Sequence, residues 1–97
     1  MRYAIILAPE ASEHYHRLRA RIRAMVRDAL ETHLRFEPTK SSKSRIKRLR
    51  GMRRPEYRLR VEEVRVYYDV TENTVEVLAI IEKSEARAWL EERGERT

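Results

Sequence analysis

The 97-residue sequence contains no cysteine, which removes disulfides, thiolate metal ligands and a thiol nucleophile together. Chain breakers are scarce, with two glycines and three prolines against 41% hydrophobic residues, so the chain is expected to be globular rather than disordered. Long apolar runs are missing as well. The N-terminal run from Tyr3 to Ala8 is too short for a signal peptide, and nothing later approaches the ~20 residues of a membrane span. A cytoplasmic protein without membrane attachment is the expectation. Of three histidines, His14 and His16 lie two apart on a helical pattern and so point to different faces, which argues against a shared metal or an acid/base pair. His33 falls on an apolar stripe and reads as structural. No metal or cofactor is expected. A chain of this length buries one core, so residues 1–97 are expected to form one domain.

What the sequence has in excess is positive charge: a net of +6 and a pI near 10.1. Its placement is uneven. Between Glu37 and Arg65 there are 11 Lys or Arg against four acids, a net of +7, and the rest of the chain is close to neutral. A surface kept merely soluble mixes both signs along its length, so this concentration points to an anionic partner, nucleic acid first.

Period and punctuation give the elements. Tyr3 to Ala8 is apolar on both faces, as in a strand buried in a sheet. Pro9 suits a first helical turn, and from Ala11 to Leu34 apolar residues recur at steps of three and four, in one long helix or two. Glu37 to Ser44 reads as a loop, and "RIKRLRGMRRPEY" as a short strand or irregular basic loop, with Gly51 as a turn. Val75 to Ile81 forms a central strand with Val75, Val77, Ala79 and Ile81 on its core face. Ser84 is the expected N-cap of a last helix that Gly94 ends. The expected fold is an α+β domain: an N-terminal strand, a helical segment, three or four further antiparallel strands and a short C-terminal helix, with the helices on one side of the sheet.

Within "YRLRVEEVRVYYDV" the alternation is informative. With Glu62-Glu63 as a two-residue turn, Val61 pairs with Val64, Arg60 faces Arg65 and Arg58 faces Tyr67. Like charges directly across a strand pair are unfavourable by up to about 1 kcal/mol. Retaining three arginines on one face therefore suggests an anion that lies on it; a solvated polar face is the alternative.

This order of elements, with "KRLRGM" leading into "YRLRVEEVRVYYDV" and then "VEVLAIIEKSEARAWL", resembles the RelE/ParE superfamily of bacterial type II toxin–antitoxin toxins over nearly the whole chain. The resemblance implies a helical hairpin broken near Arg19 to Arg21 and a cognate antitoxin that wraps the toxin. It also implies one of two activities: RelE-like cleavage of ribosome-bound mRNA, or ParE-like inhibition of DNA gyrase without nuclease activity. A non-toxic RNA- or ribosome-binding module is a further alternative. By the same resemblance Arg58 and Arg60 match the basic pair of the first hairpin strand and Arg65 the arginine of the next. The family's Gly-Lys/Arg-Arg element reads Ile81-Glu82-Lys83-Ser84 here, Trp89 stands near the place of a later tyrosine, and Glu62 stands where relatives commonly have glycine.

RNA cleavage through a 2′-hydroxyl needs a proton acceptor, positive charge at the phosphorane and an acid for the leaving oxygen. Arginines fill the second role, since a guanidinium is always charged and clamps phosphate oxygens as a fork. The expected catalytic set is therefore Arg58, Arg60 and Arg65, with Lys83 handling the proton if burial and the arginines depress its pKa. Tyr67 is expected to donate, to stack on a base, or simply to pack on Leu78. Lys40, Lys43, Arg45, Lys47, Arg48 and Arg50 are expected to contact the RNA backbone, and Glu62 and Glu63 to be turn carboxylates.

Overall fold

The turn at Glu62-Glu63 organises the sheet. In the computed structural model, which describes residues 1–97, strand β4 (Tyr57–Val61) folds back on β5 (Val64–Val70) in the expected register, Val61 opposite Val64, Arg60 opposite Arg65 and Arg58 opposite Tyr67. Glu62 takes φ 55°, the left-handed region that glycine enters freely and other residues enter at a cost of about 1–2 kcal/mol.

Around this hairpin a five-stranded sheet forms in the order β1-β6-β5-β4-β2, from β1 (Ala4–Leu7), β6 (Thr74–Glu82), β5, β4 and β2 (Ile46–Arg48). Only β1 runs parallel to its neighbour. Helices α1 (Pro9–Arg17) and α2 (Ala20–Ala29), the latter continued by a π-helical turn over Leu30–Leu34, cover one face. The helical segment is thus two helices, with the corner at Leu18-Arg19 in extended backbone. The Arg23 guanidinium holds that corner by donating to the Leu18 carbonyl at 2.8 Å. Val26, Leu34, Leu59, Val66, Tyr68 and Val77 are fully buried between helices and sheet.

Several expectations are corrected. The helices do not share one side: α3 (Lys83–Arg93) packs Ala86, Trp89 and Leu90 on Tyr67, Ala79 and Ile81, on the face opposite α1 and α2. The faces of β6 exchange at Leu78, where the pairing steps from Tyr67–Ala79 to Tyr68–Val77. This bulge puts Val75, Val77 and Ile80 in the main core and Ala79 and Ile81 beneath α3, because one extra residue inverts the alternation. Strand β1 lies at the sheet edge, so its outer residue Ile6 is 52% exposed rather than buried. Ser84 is not a cap: β6 runs straight into α3, Glu82 is the flanking residue, and no side chain caps the first turn. Gly94 does end the helix. The basic segment yields β2 and β3 (Met52–Arg54), and β3 pairs with an unforeseen C-terminal strand, β7 (Glu95–Arg96).

Candidate functional site

Residues opposite one another on neighbouring strands share a face, so the registers define a row across the sheet: Lys47 on β2, Arg58 on β4, Tyr67 on β5 and Ala79 on β6. One step towards the turn, Arg60 and Arg65 stand opposite each other. The three expected arginines are therefore together, and Lys47 joins them. None of Lys47, Arg58, Arg60, Arg65 or Lys83 forms an ion pair with an acid.

The three arginines have different environments. Arg60 is exposed. Arg58 is partly buried, and its Nε is buried with no hydrogen-bond partner. Desolvation pulls the Arg58 pKa down, Arg65 and Arg60 add to that, and Tyr67 partly offsets it. Arg65 is only 6% exposed, and its Nη1 donates to the carbonyls of Glu62 at 2.8 Å and Val64 at 3.1 Å. Arg65 thus closes the turn as well as adding charge to the row.

Tyr67 packs, but on Trp89: the rings stack with centroids 5.5 Å apart and planes 12° apart. Burial raises the Tyr67 pKa against the opposing pull of Arg58 and Arg65, which keeps the phenol neutral beside them. Trp89 is fixed in turn by its Nε1, which donates to Glu10 Oε1 at 3.3 Å, while Arg93 reaches the other Glu10 oxygen at 3.3 Å. Lys83 opens α3, and its backbone N–H donates to the Glu63 carbonyl at 2.7 Å. Its side chain is exposed, so the burial that was to make it a base is absent in the free protein. Glu62 and Glu63 are exposed at the turn.

The other basic residues divide. Lys43 and Arg50 are exposed and unpaired, and Lys40 lies 3.6 Å from Glu37. Arg45 donates to His33 Nε2 at 2.7 Å. Arg48 is exposed and also braces the fold: its Nη1 donates to the Leu49 and Glu56 carbonyls, its Nη2 lies 3.9 Å from the Glu56 carboxylate, and its guanidinium covers the Tyr57 ring. A second role that the sequence did not disclose belongs to His14, whose Nδ1 accepts the Ile80 N–H at 3.1 Å, on a stretch of β6 beyond its pairing with β1. No group of three or more His, Asp or Glu side chains converges anywhere. No helix is long and apolar enough to cross a membrane.

The chain can be set beside known proteins. Residues 5–87 match a family model described as the ParE toxin of the type II toxin–antitoxin system parDE. No curated protein sequence matches. Among solved structures, the RelBE2 toxin–antitoxin complex of Mycobacterium tuberculosis aligns at 24% identity and TM-score 0.66, covering 84% of this chain and 99% of that one. A doubly substituted RelE of E. coli in the free state aligns at 20% identity and TM-score 0.71, over 92% of each chain. An archaeal RelE–RelB complex from Pyrococcus horikoshii aligns at 22% identity and TM-score 0.64, over 86% and 97%. These likenesses establish a shared fold.

Proposed function

The chain belongs to the ParE toxin family of type II toxin–antitoxin systems, and from that premise we propose that it acts as a RelE-like, ribosome-dependent mRNA interferase that inhibits translation. The observation that carries this reading is Arg58. A buried guanidinium N–H without an acceptor is costly, and here it sits among further cations with no carboxylate paired to any of them. A phosphate on the accessible end of the Arg58 guanidinium and on the exposed Arg60 supplies the missing negative charge.

In this reading Arg58 and Arg60 clamp the scissile phosphate, and Arg65, tied to the turn, fixes their strand pairing and adds to the field. The substrate's 2′-oxygen forms a bond to phosphorus and gives up its proton, the bond from phosphorus to the 5′-oxygen breaks, and that oxygen takes a proton. The products are a 2′,3′-cyclic phosphate and a 5′-hydroxyl. Lys83, on the first turn of α3, handles the proton. Lys83 is exposed in the free protein, so in this reading it is desolvated only when message and ribosome close over it, and cleavage is expected to require ribosomes. Lys40, Lys43 and Arg50 contribute salt-dependent contacts to the RNA backbone.

One observation favours a second reading. Neither side chain expected to act beside the arginines is placed for proton transfer in the free protein, Tyr67 being stacked and buried and Lys83 exposed. A ParE-like gyrase inhibitor needs no such transfer, and uses the row only to bind. In either reading the partner is a cognate antitoxin, as in the RelBE2 and archaeal RelE–RelB complexes. A segment of net +7 favours an acidic stretch of that partner.

The test is primer-extension mapping of message in a purified translation reaction, with wild type and Arg60→Ala. Arg60 is exposed and outside the turn's hydrogen bonds, so its loss leaves the fold intact. Cuts that require ribosomes and fall at least about 100-fold in the variant are expected, the scale of one lost transition-state donor. Intact message from protein that arrests growth and induces DNA damage responses selects gyrase instead.

A further inference from the structure

On the arginine face, β2, β3 and α3 enclose a groove of about 570 Å³ lined by Lys47, Leu49, Arg50, Met52, Leu90 and Arg96. Its floor is apolar, and Leu49 and Leu90 also pack against the cluster that holds Tyr67, so the floor continues the Tyr67–Trp89 stack. Its rim carries three cations, none paired with an acid. Lys47 belongs both to this rim and to the arginine row, directly opposite Arg58 at about the 4.8 Å spacing of adjacent strands.

The groove is built by tertiary structure. Arg96 arrives there because β7 pairs with β3, with Arg96 opposite Met52, and because the Thr97 N–H donates to the Gly51 carbonyl at 3.0 Å. Gly94 permits the approach: a Cβ there would lie 2.4 Å from Met52 Cε and 2.5 Å from the Leu90 carbonyl oxygen.

We propose that this groove is a nucleotide subsite, which holds the base next to the scissile phosphate on Leu49, Met52 and Leu90 and the neighbouring phosphate between Arg50 and Arg96. The proposal rests on the reading of the arginine row as an RNA site. Single-stranded RNA repeats one flat apolar face and one negative charge per nucleotide, and proteins meet it with a cationic groove beside a stacking surface. Guanidinium planes at the rim add stacking of their own. An acidic peptide would satisfy the charges, but continuity through Lys47 with the unpartnered Arg58 favours the strand that lies on both.

A short 2′-O-methylated oligoribonucleotide, which has no hydroxyl to attack and so cannot be cut, is titrated into protein labelled at its methionine methyls. The Met52 methyl is expected to shift, whereas Met25, under the helices on the opposite face, stays still. Arg96→Gln is expected to weaken binding several-fold and to lower the slope of log affinity against log salt by about 0.7, one phosphate contact. Cleavage on ribosomes is a separate readout. Cleavage by a protein whose Met52 signal ignores the oligonucleotide, or oligonucleotide binding that Arg58→Gln weakens and Arg96→Gln does not, overturns the subsite and leaves the interferase reading standing. A Met52 shift without any cleavage keeps the subsite and retires the nuclease. A shift caused by an oligoglutamate peptide alone overturns the proposal in favour of a protein-docking groove.

Discussion

Arg65 donates from one end of its guanidinium to the two carbonyls that close the hairpin turn, and its burial makes that role structural as well as electrostatic. Arg65→Ala is therefore expected to cost about 1–3 kcal/mol in urea melts, from unsatisfied carbonyls and lost packing. Any loss of activity in that variant mixes site and fold, which is why Arg60 is the cleaner probe. A second residue gives a pH dependence. His14 accepts the Ile80 N–H in its neutral form, and burial lowers its pKa, opposed by Glu10, Glu13 and Glu85 and assisted by Arg17. Burial and then Arg45 lower that of His33 likewise. With folded-state pKa values below the ordinary 6.5, the unfolded chain takes up these protons first. The contribution to stability is thus complete above that value and lost as pH falls below it. Thermal melts should show the midpoint dropping on acidification from neutral pH, and dropping less in His14→Gln.

At the level of elements, α3 and β7 act as one unit that leans on the arginine face. Trp89 stacks on Tyr67, Glu10 holds Trp89 and Arg93, and β7 then clasps β3 beneath Gly94. Gly94→Ala forces its new methyl against the Leu90 carbonyl, which cannot rotate away as a side chain can. The expected outcome is a loss of about 1–3 kcal/mol and faster hydrogen exchange at the Thr97 amide, with the β4–β5 hairpin still protected. The hairpin carries its own strain at Glu62, whose φ of 55° is relieved by glycine. Because glycine also loosens the unfolded chain, Glu62→Gly should change stability by less than about 1 kcal/mol in either direction, a small effect that chemical denaturation resolves.

Taken whole, the molecule is polarised: helices α1 and α2 seal one face of the sheet, and cations crowd the other and the loops beside it. A partner drawn by that field should associate more slowly as salt is raised, with dissociation much less affected, which stopped-flow mixing with the cognate antitoxin would measure. The hairpin register, the three arginines on one face, the helix start at Pro9 and its end at Gly94 were all legible in the sequence, since each follows from a local period or a single chain breaker. The break at Leu18-Arg19 was not marked by glycine or proline and came from the family resemblance. Other features depended on contacts between distant segments. The bulge at Leu78, the edge position of β1 and the placement of α3 are settled by which strand lies alongside and which face remains uncovered. The same holds for the site: composition and alternation determined its charge, but pairing of β2 with β4 and β7 with β3 decided that Lys47 joins it, that Arg96 reaches the groove beside it, that Arg48 ties to the Glu56 carbonyl and that Arg58 Nε is left without an acceptor. Short strands of two or three residues carry too little periodicity to announce themselves, and burial of a polar atom exists only once the chain has closed around it.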